Sequence, residues 1–251
     1  MTISAQPDLW SAEKVAAHTT VATAPNGLRF TSWADARISH AEMEHLVGAV
    51  PRLLAPALAG RCYYFVPLVL LEGSELMVAS AHSEEGAERA ICHRDLTLGP
   101  IQAVFISTRL TEDRFGLIFE FCINVAHNFV DAVGVPTSFG ELVWSQAQAA
   151  VRGETSRDAW DARRKVHLPE AEATGSATNE QSRKNYEEAA FTDALAIYML
   201  SLATDVDYQD LREREYPLLA APALAERLRH IASLFPPNSG YEFLIRYRRR
   251  S

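Results

Sequence analysis

The residues that could carry chemistry are concentrated in one short stretch, in which His127 is followed four residues later by Asp131. The stretch comes after an apolar run, Phe115 to Ala126, whose residue types predict a β-strand. Because the pKa of an ordinary imidazole is about 6.5, a neutral histidine can accept a proton at pH 7. The pair is therefore a candidate catalytic pair. The alternative is a histidine at a strand end and an aspartate that caps a helix, neither with a chemical role.

The order of features around this stretch resembles the CoA-dependent acyltransferase superfamily. That superfamily includes chloramphenicol acetyltransferase, the plant BAHD enzymes and the condensation domains of peptide synthetases. Its motif, His-His-x-x-x-Asp-Gly after a central strand and before a helix, matches here at His127 and Asp131, and the resemblance covers residues 98–154. Ala126 and Ala132 replace the first histidine and the glycine, and the second family signature, Asp-Phe-Gly-Trp-Gly, is absent from the sequence.

The resemblance implies an acyltransferase-like function. In that reaction, His127 is the general base that takes a proton from an acceptor hydroxyl or amine, which then attacks a thioester. Asp131 has the structural role of pairing with an arginine that the sequence does not identify. The expected partners are a small-molecule substrate or an acyl carrier, with acyl-CoA or a carrier-protein thioester as co-substrate and no firmly bound cofactor. The alternative is a non-catalytic binding or assembly protein on a similar scaffold, because the motif is only half intact.

A second candidate site is the triplet His93-Arg94-Asp95. His-x-Asp supplies two of the three ligands of the facial triad that binds non-haem iron. His127 and His230 are possible third ligands, but their spacing singles out neither. A metal-dependent enzyme that uses His93 and Asp95 is therefore a further alternative, and a polar loop without a metal is the other interpretation.

A third candidate lies between His40 and His45. Glu42 and His45 are three residues apart on a predicted helix and share one face. A di-iron bundle needs two Glu-x-x-His motifs, and only one is present, so a solvated helix face is the expected role. The sequence contains no Walker loop, no Gly-x-Gly-x-x-Gly and no Cys-x-x-Cys, and therefore offers no support for a nucleotide site or a structural zinc site.

Four apolar segments are predicted to be strands that position these residues. The last two form a predicted hairpin around an acidic turn, and we expect both to be central and covered by helices. The predicted strands are Arg61 to Glu72, Glu75 to His82, Ile101 to Leu110 and Phe115 to Ala126.

Helical patterns surround the predicted strands. Ser39 with Glu42 predicts a capping box that opens a helix to about Val50, and Ser138 with Glu141 predicts the start of another. The full set of predicted helices is Trp10 to His18, Ser39 to Val50, Pro51 to Gly60, Ser138 to Arg152, Glu180 to Ala203, Asp207 to Glu215 and Pro222 to Leu234.

These elements predict an α/β (α+β) fold, with a largely antiparallel or mixed central sheet covered by helices and a helical C-terminal part. We expect a sheet-containing core domain over residues 1–153 and a loop or linker over 154–179. Residues 180–251 are expected to form a helical segment that packs on the same core and ends in an edge strand, Tyr241 to Tyr247.

Composition narrows the classes of protein further. The 251 residues are 48% apolar, and the formal net charge of -8 argues against a nucleic-acid-binding role. The N-terminus lacks the pattern of a signal peptide, and no apolar run reaches the length of a membrane span. The three cysteines, Cys62, Cys92 and Cys122, show no paired spacing, which favours reduced thiols and a cytoplasmic location. A homo-oligomer is compatible with all of these features.

Overall fold

The described part of the chain is a mixed α/β structure with two sheets and nine α-helices, which confirms the predicted fold class. It divides into two compact units, Met1–Phe121 and Cys122–Ser251. The predicted division at residues 153 and 179 stays a prediction. The computed structural model describes residues 8–110, 113–166, 176–206 and 216–245.

A five-stranded mixed sheet is the centre of the first unit. Its strand order is β2-β3-β4-β8-β7, in which β3, β4 and β8 are parallel while β2 and β7 pair antiparallel at the two edges. The parallel strands all end on one side of the sheet, where the ligands of open α/β sheets usually bind. The strands are β2 Ala22–Thr23, β3 Arg29–Ser32, β4 Arg61–Val66, β7 His93–Leu98 and β8 Ile101–Ser107.

A smaller antiparallel sheet, of order β1-β6-β5, completes the β structure of this unit. Its strands are β1 Leu9–Ser11, β5 Leu68–Glu72 and β6 Glu75–Ala79. The strand predicted from Arg61 to Glu72 is divided at Pro67, which has no N–H group for a sheet ladder. The two halves become β4 and β5 and belong to different sheets, so the prediction of one continuous strand was wrong.

Helices cover the five-stranded sheet. On one face, Tyr63 and Phe65 of β4 pack against Phe121 of helix α5 (Arg114–Val133). On the other face, Tyr64 and Phe105 belong to an apolar cluster that includes residues of α1 and of the smaller sheet. The other helices of this unit are α1 Ala12–His18, α2 His40–Gly48, α3 Ala55–Leu58 and α4 Glu84–Arg89, with short 3₁₀ turns at Arg52–Leu54 and Thr108–Leu110.

The segment Phe115 to Ala126 is helical, so the predicted strand and the predicted hairpin with Ile101 to Leu110 were both wrong. Strand β8 pairs instead with β4 and β7. The aromatic and β-branched residues of the segment favour a strand, but its buried positions recur every four residues, at Leu117, Phe121, Val125 and Phe129. A spacing of four residues places these side chains on one face of an α-helix, whereas buried positions of a strand recur every two residues.

The second unit contains the rest of α5 and four more helices: α6 Thr137–Gln148, α7 Arg157–Val166, α8 Ser176–Ala203 and α9 Ala221–Leu234. Phe129, Phe139, Phe191 and Phe235 contact one another in its core.

The predictions for this part of the chain have mixed outcomes. The helices predicted from Glu180 to Ala203 and from Pro222 to Leu234 are confirmed as α8 and α9. The loop predicted over 154–179 was wrong where α7 forms. Residues 241–245 are not in a strand, contrary to the predicted edge strand, and its last two residues lie outside the described part, as does the helix predicted from Asp207 to Glu215.

Helix α5 alone among the described helices has the length and apolar composition that would let it cross a membrane. Of its most apolar window, 44% is buried inside the protein. The core helix of a globular protein has the same length and composition, and the packing of Phe121 and Phe129 gives α5 that role here.

Candidate functional site

His127 and Asp131 lie in the second half of helix α5, one helical turn apart and therefore on one face. Both side chains are exposed. The sequence placed His127 at the end of a strand, and that position was wrong because the strand is a helix. The catalytic roles assigned to the two residues stay predictions.

Asp131 borders a cavity of about 490 Å³ in the second unit. Its walls combine Val130 and Val135 with the charged side chains of Asp131, Lys184, Glu187 and Glu188. We call this cavity the Asp131 groove. It lies beside the C-terminal end of α5 and one face of α8, and it has the size of a small-molecule site.

His93 and Asp95 lie on β7, two residues apart and on the same face of the sheet. The sequence interpretation of a polar loop at this triplet was wrong. Nδ1 of His93 makes an ion pair with Oε1 of Glu120 on α5. This bond raises the pKa of His93, with a smaller contribution from the Asp95 charge and against the opposing effect of burial.

The hypothesis that His93 and Asp95 bind a metal requires a third ligand, and the described residues do not supply one. Within the described ranges, no group of three or more histidine, cysteine, aspartate or glutamate side chains is arranged to hold a metal ion.

Glu42 belongs to the predicted capping box, which the structure confirms. Its carboxylate accepts a hydrogen bond from the Ser39 N–H at 2.8 Å, while Ser39 Oγ accepts from the Glu42 N–H at 3.2 Å. The Ser39 backbone bond is the main cause of the lowered pKa of Glu42. The side chain therefore stabilises the start of α2, as expected for a residue on a solvated helix face.

Ser138 and His230 form a pair that the sequence did not predict. A hydrogen bond of 2.9 Å joins Ser138 Oγ to His230 Nε2, although the residues are 92 positions apart in the chain. Ser138 is exposed at the start of α6, and His230 is half-buried on α9 beside the ring of Phe139. A serine hydroxyl within hydrogen-bond distance of an imidazole is the arrangement of an activated nucleophile and its base.

The N-terminus of α6 provides a favourable setting for this pair. The N-cap residue is Pro136, whose side chain accepts no hydrogen bond, and Ser138 is the second helical residue. Sequence reasoning assigned the capping role to Ser138 itself, which was wrong. No side chain of the described residues caps this end. The N–H groups of Phe139 and Gly140 donate to the Pro136 carbonyl, whereas those of Thr137 and Ser138 have no partner among the described residues. The positive end of the helix dipole points at any negative charge formed beside Ser138.

The second unit also contains a buried ion network, in which Arg227 Nη1 donates to Glu154 Oε2 at 2.9 Å. Glu154 Oε1 accepts from Arg163 at 3.1 Å and from the Tyr186 hydroxyl at 2.7 Å, and Gln146 Oε1 accepts from Arg227 Nε at 2.8 Å. Burial is the main cause of the raised pKa of Tyr186. Every one of these side chains is already satisfied, so the network joins elements of the helical unit.

Comparisons with known proteins give no relative. No family model, no curated protein and no solved structure matches this chain. The candidate site therefore depends on its own geometry, in which the Ser138–His230 pair is the arrangement best suited to catalysis. The sequence carries no local motif around Ser138 that would have singled it out, and His230 was considered only as a possible metal ligand.

Proposed function

We propose that this protein is an acyl-transfer enzyme that uses Ser138 as its nucleophile and His230 as its general base. The observation that carries the proposal is the hydrogen bond of 2.9 Å between Ser138 Oγ and His230 Nε2 at an exposed helix N-terminus. The proposal keeps the acyl chemistry expected from the sequence and assigns it to different residues.

The chemistry proceeds in two balanced steps. In the first, Ser138 Oγ attacks the carbonyl carbon of a thioester while its proton passes to His230 Nε2. The C–S bond then breaks, and the leaving thiolate takes that proton. In the second, a hydroxyl, an amine or water attacks the acyl-serine, gives its proton to His230, and the proton returns to Ser138 as the acyl–oxygen bond breaks.

Charge stabilisation accompanies both steps. Each passes through a tetrahedral intermediate that carries a negative oxygen. The N–H groups of Thr137 and Ser138, the first two of α6, are suited to stabilise that oxygen, since preorganised donors at a helix N-terminus act without reorganisation.

The proposal is tested by acyl transfer from a small acetyl thioester and by mass spectrometry of trapped acyl-enzyme. We expect Ser138→Ala and His230→Gln each to lower kcat/KM by at least about 10²-fold, the contribution typical of a general base. Ser145→Ala is the matched control, because Ser145 is also an exposed serine of α6, and among the described residues its hydroxyl bonds only to the Leu142 carbonyl. Activity unchanged in Ser138→Ala, or an acetyl group absent from Ser138, overturns the proposal.

A second candidate is acyl transfer with His127 as the only base, as the resemblance implies. It is favoured by the exposure of His127 and by Asp131 one turn away on the same face of α5. In this case His127→Ala abolishes transfer from acyl-CoA or a carrier thioester, while Ser138→Ala does not, and no acyl-serine forms. If the wild-type protein transfers no acyl group from either donor, the binding or assembly role takes the place of both.

A further inference from the structure

The imidazole of His230 contacts two consecutive residues of α6. Its Nε2 atom lies 2.9 Å from the Ser138 hydroxyl oxygen, and its ring centroid lies 6.2 Å from that of Phe139, with the two planes inclined at 45°. Centroid separations of about 4.5–7 Å are those of interacting rings. Consecutive side chains of a helix point about 100° apart, so the two contacts restrain the imidazole from different directions.

Phe139 has little freedom to move. Its side chain is fully buried, and its ring packs edge to face on the ring of Phe191 of α8 at a centroid distance of 5.0 Å. The Phe139 N–H group donates to the Pro136 carbonyl at 2.9 Å, which fixes the backbone beside the ring. Because side chains in a close-packed core sit in rotamer minima with few voids between them, the Phe139 ring is a fixed surface beside His230.

His230 depends on such contacts to keep its ring in one position. It is half-buried, and the hydrogen bond to Ser138 is the one polar contact of its ring among the described residues. A histidine on a helix has two favoured χ1 rotamers and roughly two χ2 orientations, so about four arrangements are open to an unrestrained ring. Only an arrangement that directs Nε2 at Ser138 can exchange a proton there.

Acylation of Ser138 removes one of the two restraints. In the acyl-enzyme, the serine oxygen carries the acyl group in place of its proton and no longer donates a hydrogen bond to Nε2 of His230. The second step of the proposed reaction nevertheless requires Nε2 at the same position, because it accepts the proton of the attacking hydroxyl, amine or water. The contact with Phe139 does not involve the serine oxygen and therefore persists.

We propose that Phe139 is the positioning residue that keeps His230 directed at the reaction centre while Ser138 carries the acyl group. The inference rests on the proposed function, because it needs an acyl-serine. If the ring lost this restraint, about one in four acyl-enzyme molecules would have a correctly placed base, and the rate of the second step would fall in proportion to that fraction.

Phe139→Leu tests the proposal in rapid-mixing experiments with phenyl thioacetate as the acyl donor and water as the acceptor. The first step starts from the free enzyme, in which Ser138 still bonds to His230, so we expect its rate constant and kcat/KM to change by less than about twofold. The rate constant of the second step should fall about fourfold. Acetyl-Ser138 then accumulates to a higher steady-state level than in the wild-type protein, which mass spectrometry measures.

Phe129→Leu is the matched control. Phe129 is a buried residue of the same aromatic core, and its ring contacts those of Phe191 and Phe235, one ring further from His230. The same truncation there opens a similar cavity, and both rate constants should stay at the wild-type values. Urea unfolding of the two variants checks that each is folded during the measurements. An unchanged second step in Phe139→Leu overturns the proposal, as does an equal slowing of the second step in both variants.

Nuclear magnetic resonance tests the same contact without a Phe139 variant and without acyl transfer. Ser138→Ala removes the hydrogen bond to His230 and leaves the Phe139 ring in place. We expect nuclear Overhauser effects between the His230 and Phe139 rings to persist in this variant at their wild-type intensity. Their loss would overturn the inference, because the Phe139 ring would then not keep His230 in position. If the wild-type protein forms no acetyl-Ser138, the proposed function fails, whatever the result of this measurement.

Discussion

The carboxylate of Glu154 and the guanidinium of Arg227 are joined at 2.9 Å in the interior of the helical unit, and neither side chain has solvent-exposed surface. Glu154 follows α6 in the chain, whereas Arg227 lies on α9. Arg163 of α7 and Tyr186 of α8 bond to the same carboxylate. One acidic side chain thus receives hydrogen bonds from residues of three helices.

Glu154→Gln should destabilise the protein by about 3–5 kcal/mol, because it leaves the buried charges of two arginines without their counter-ion. The measurement is urea unfolding followed by circular dichroism, with Glu141→Gln, an exposed change on α6, as control. A loss below about 1 kcal/mol would mean that the arginines find other acceptors or water, and that the network is not needed to hold the helices.

Gly153→Ala should be severely destabilising. Gly153 has φ +80°, and a Cβ atom there would lie 2.0 Å from the Leu218 carbonyl oxygen, a backbone atom that cannot rotate away. We expect a loss of more than about 2 kcal/mol in the free energy of unfolding. Gly240→Ala is the matched control, because Gly240 has φ +90° with nothing within 4 Å of the added Cβ. Similar losses for the two variants would show that backbone conformation, and not the contact with Leu218, decides the cost.

Local signals in the sequence predicted much of the fold. The capping box of Ser39 and Glu42 requires only residues three positions apart, and it forms as expected. The helices that became α8 and α9 were also predicted from local periodicity. The prediction was wrong where tertiary packing decided whether an apolar segment became a strand or a helix. The residue types of Phe115 to Ala126 favour a strand, but the buried positions of the segment have helical spacing.

The candidate site could not be predicted from the sequence, for a physical reason. A catalytic pair depends on distance in space, and Ser138 and His230 are brought together only when α9 packs beside α6. Each residue alone has an ordinary explanation, a helix cap for Ser138 and a surface histidine for His230. His93 and Glu120 are also distant in sequence and meet only because α5 covers the face of the sheet that carries His93.

The ion pair between His93 and Glu120 should make His93 titrate above its ordinary pKa of 6.5. Because the pKa is raised in the folded state, the pair stabilises the protein fully below about pH 6.5, and this contribution is lost as the pH rises through the folded-state pKa. The side chain of His93 is 42% exposed, so solvent screening keeps the contribution small. NMR titration of the His93 ring should show the raised pKa in the wild-type protein and a return towards 6.5 in Glu120→Gln. An unchanged pKa in that variant would assign the shift to another charge.

Asp193 should give the protein a second pH dependence, of the same sign as that of His93. Its carboxylate accepts a hydrogen bond of 2.8 Å from Thr155 Oγ1, but burial raises its pKa from 3.8 to about 6. Because the pKa is raised in the folded state, the protonated Asp193 contributes to the free energy of unfolding fully below about pH 4. This contribution, at most about 3 kcal/mol, is lost as the pH rises through about 6.

Asp193→Asn keeps an oxygen acceptor for Thr155 and removes the charge, so it should raise the free energy of unfolding at pH 8 and leave it almost unchanged at pH 4. Urea unfolding at both pH values measures the difference, with Asp205→Asn as the exposed control. If Asp193→Asn instead lowers stability at pH 8, the ionised carboxylate is favourable in the folded state. Its attraction to the nearby Arg227 would then outweigh the cost of burial.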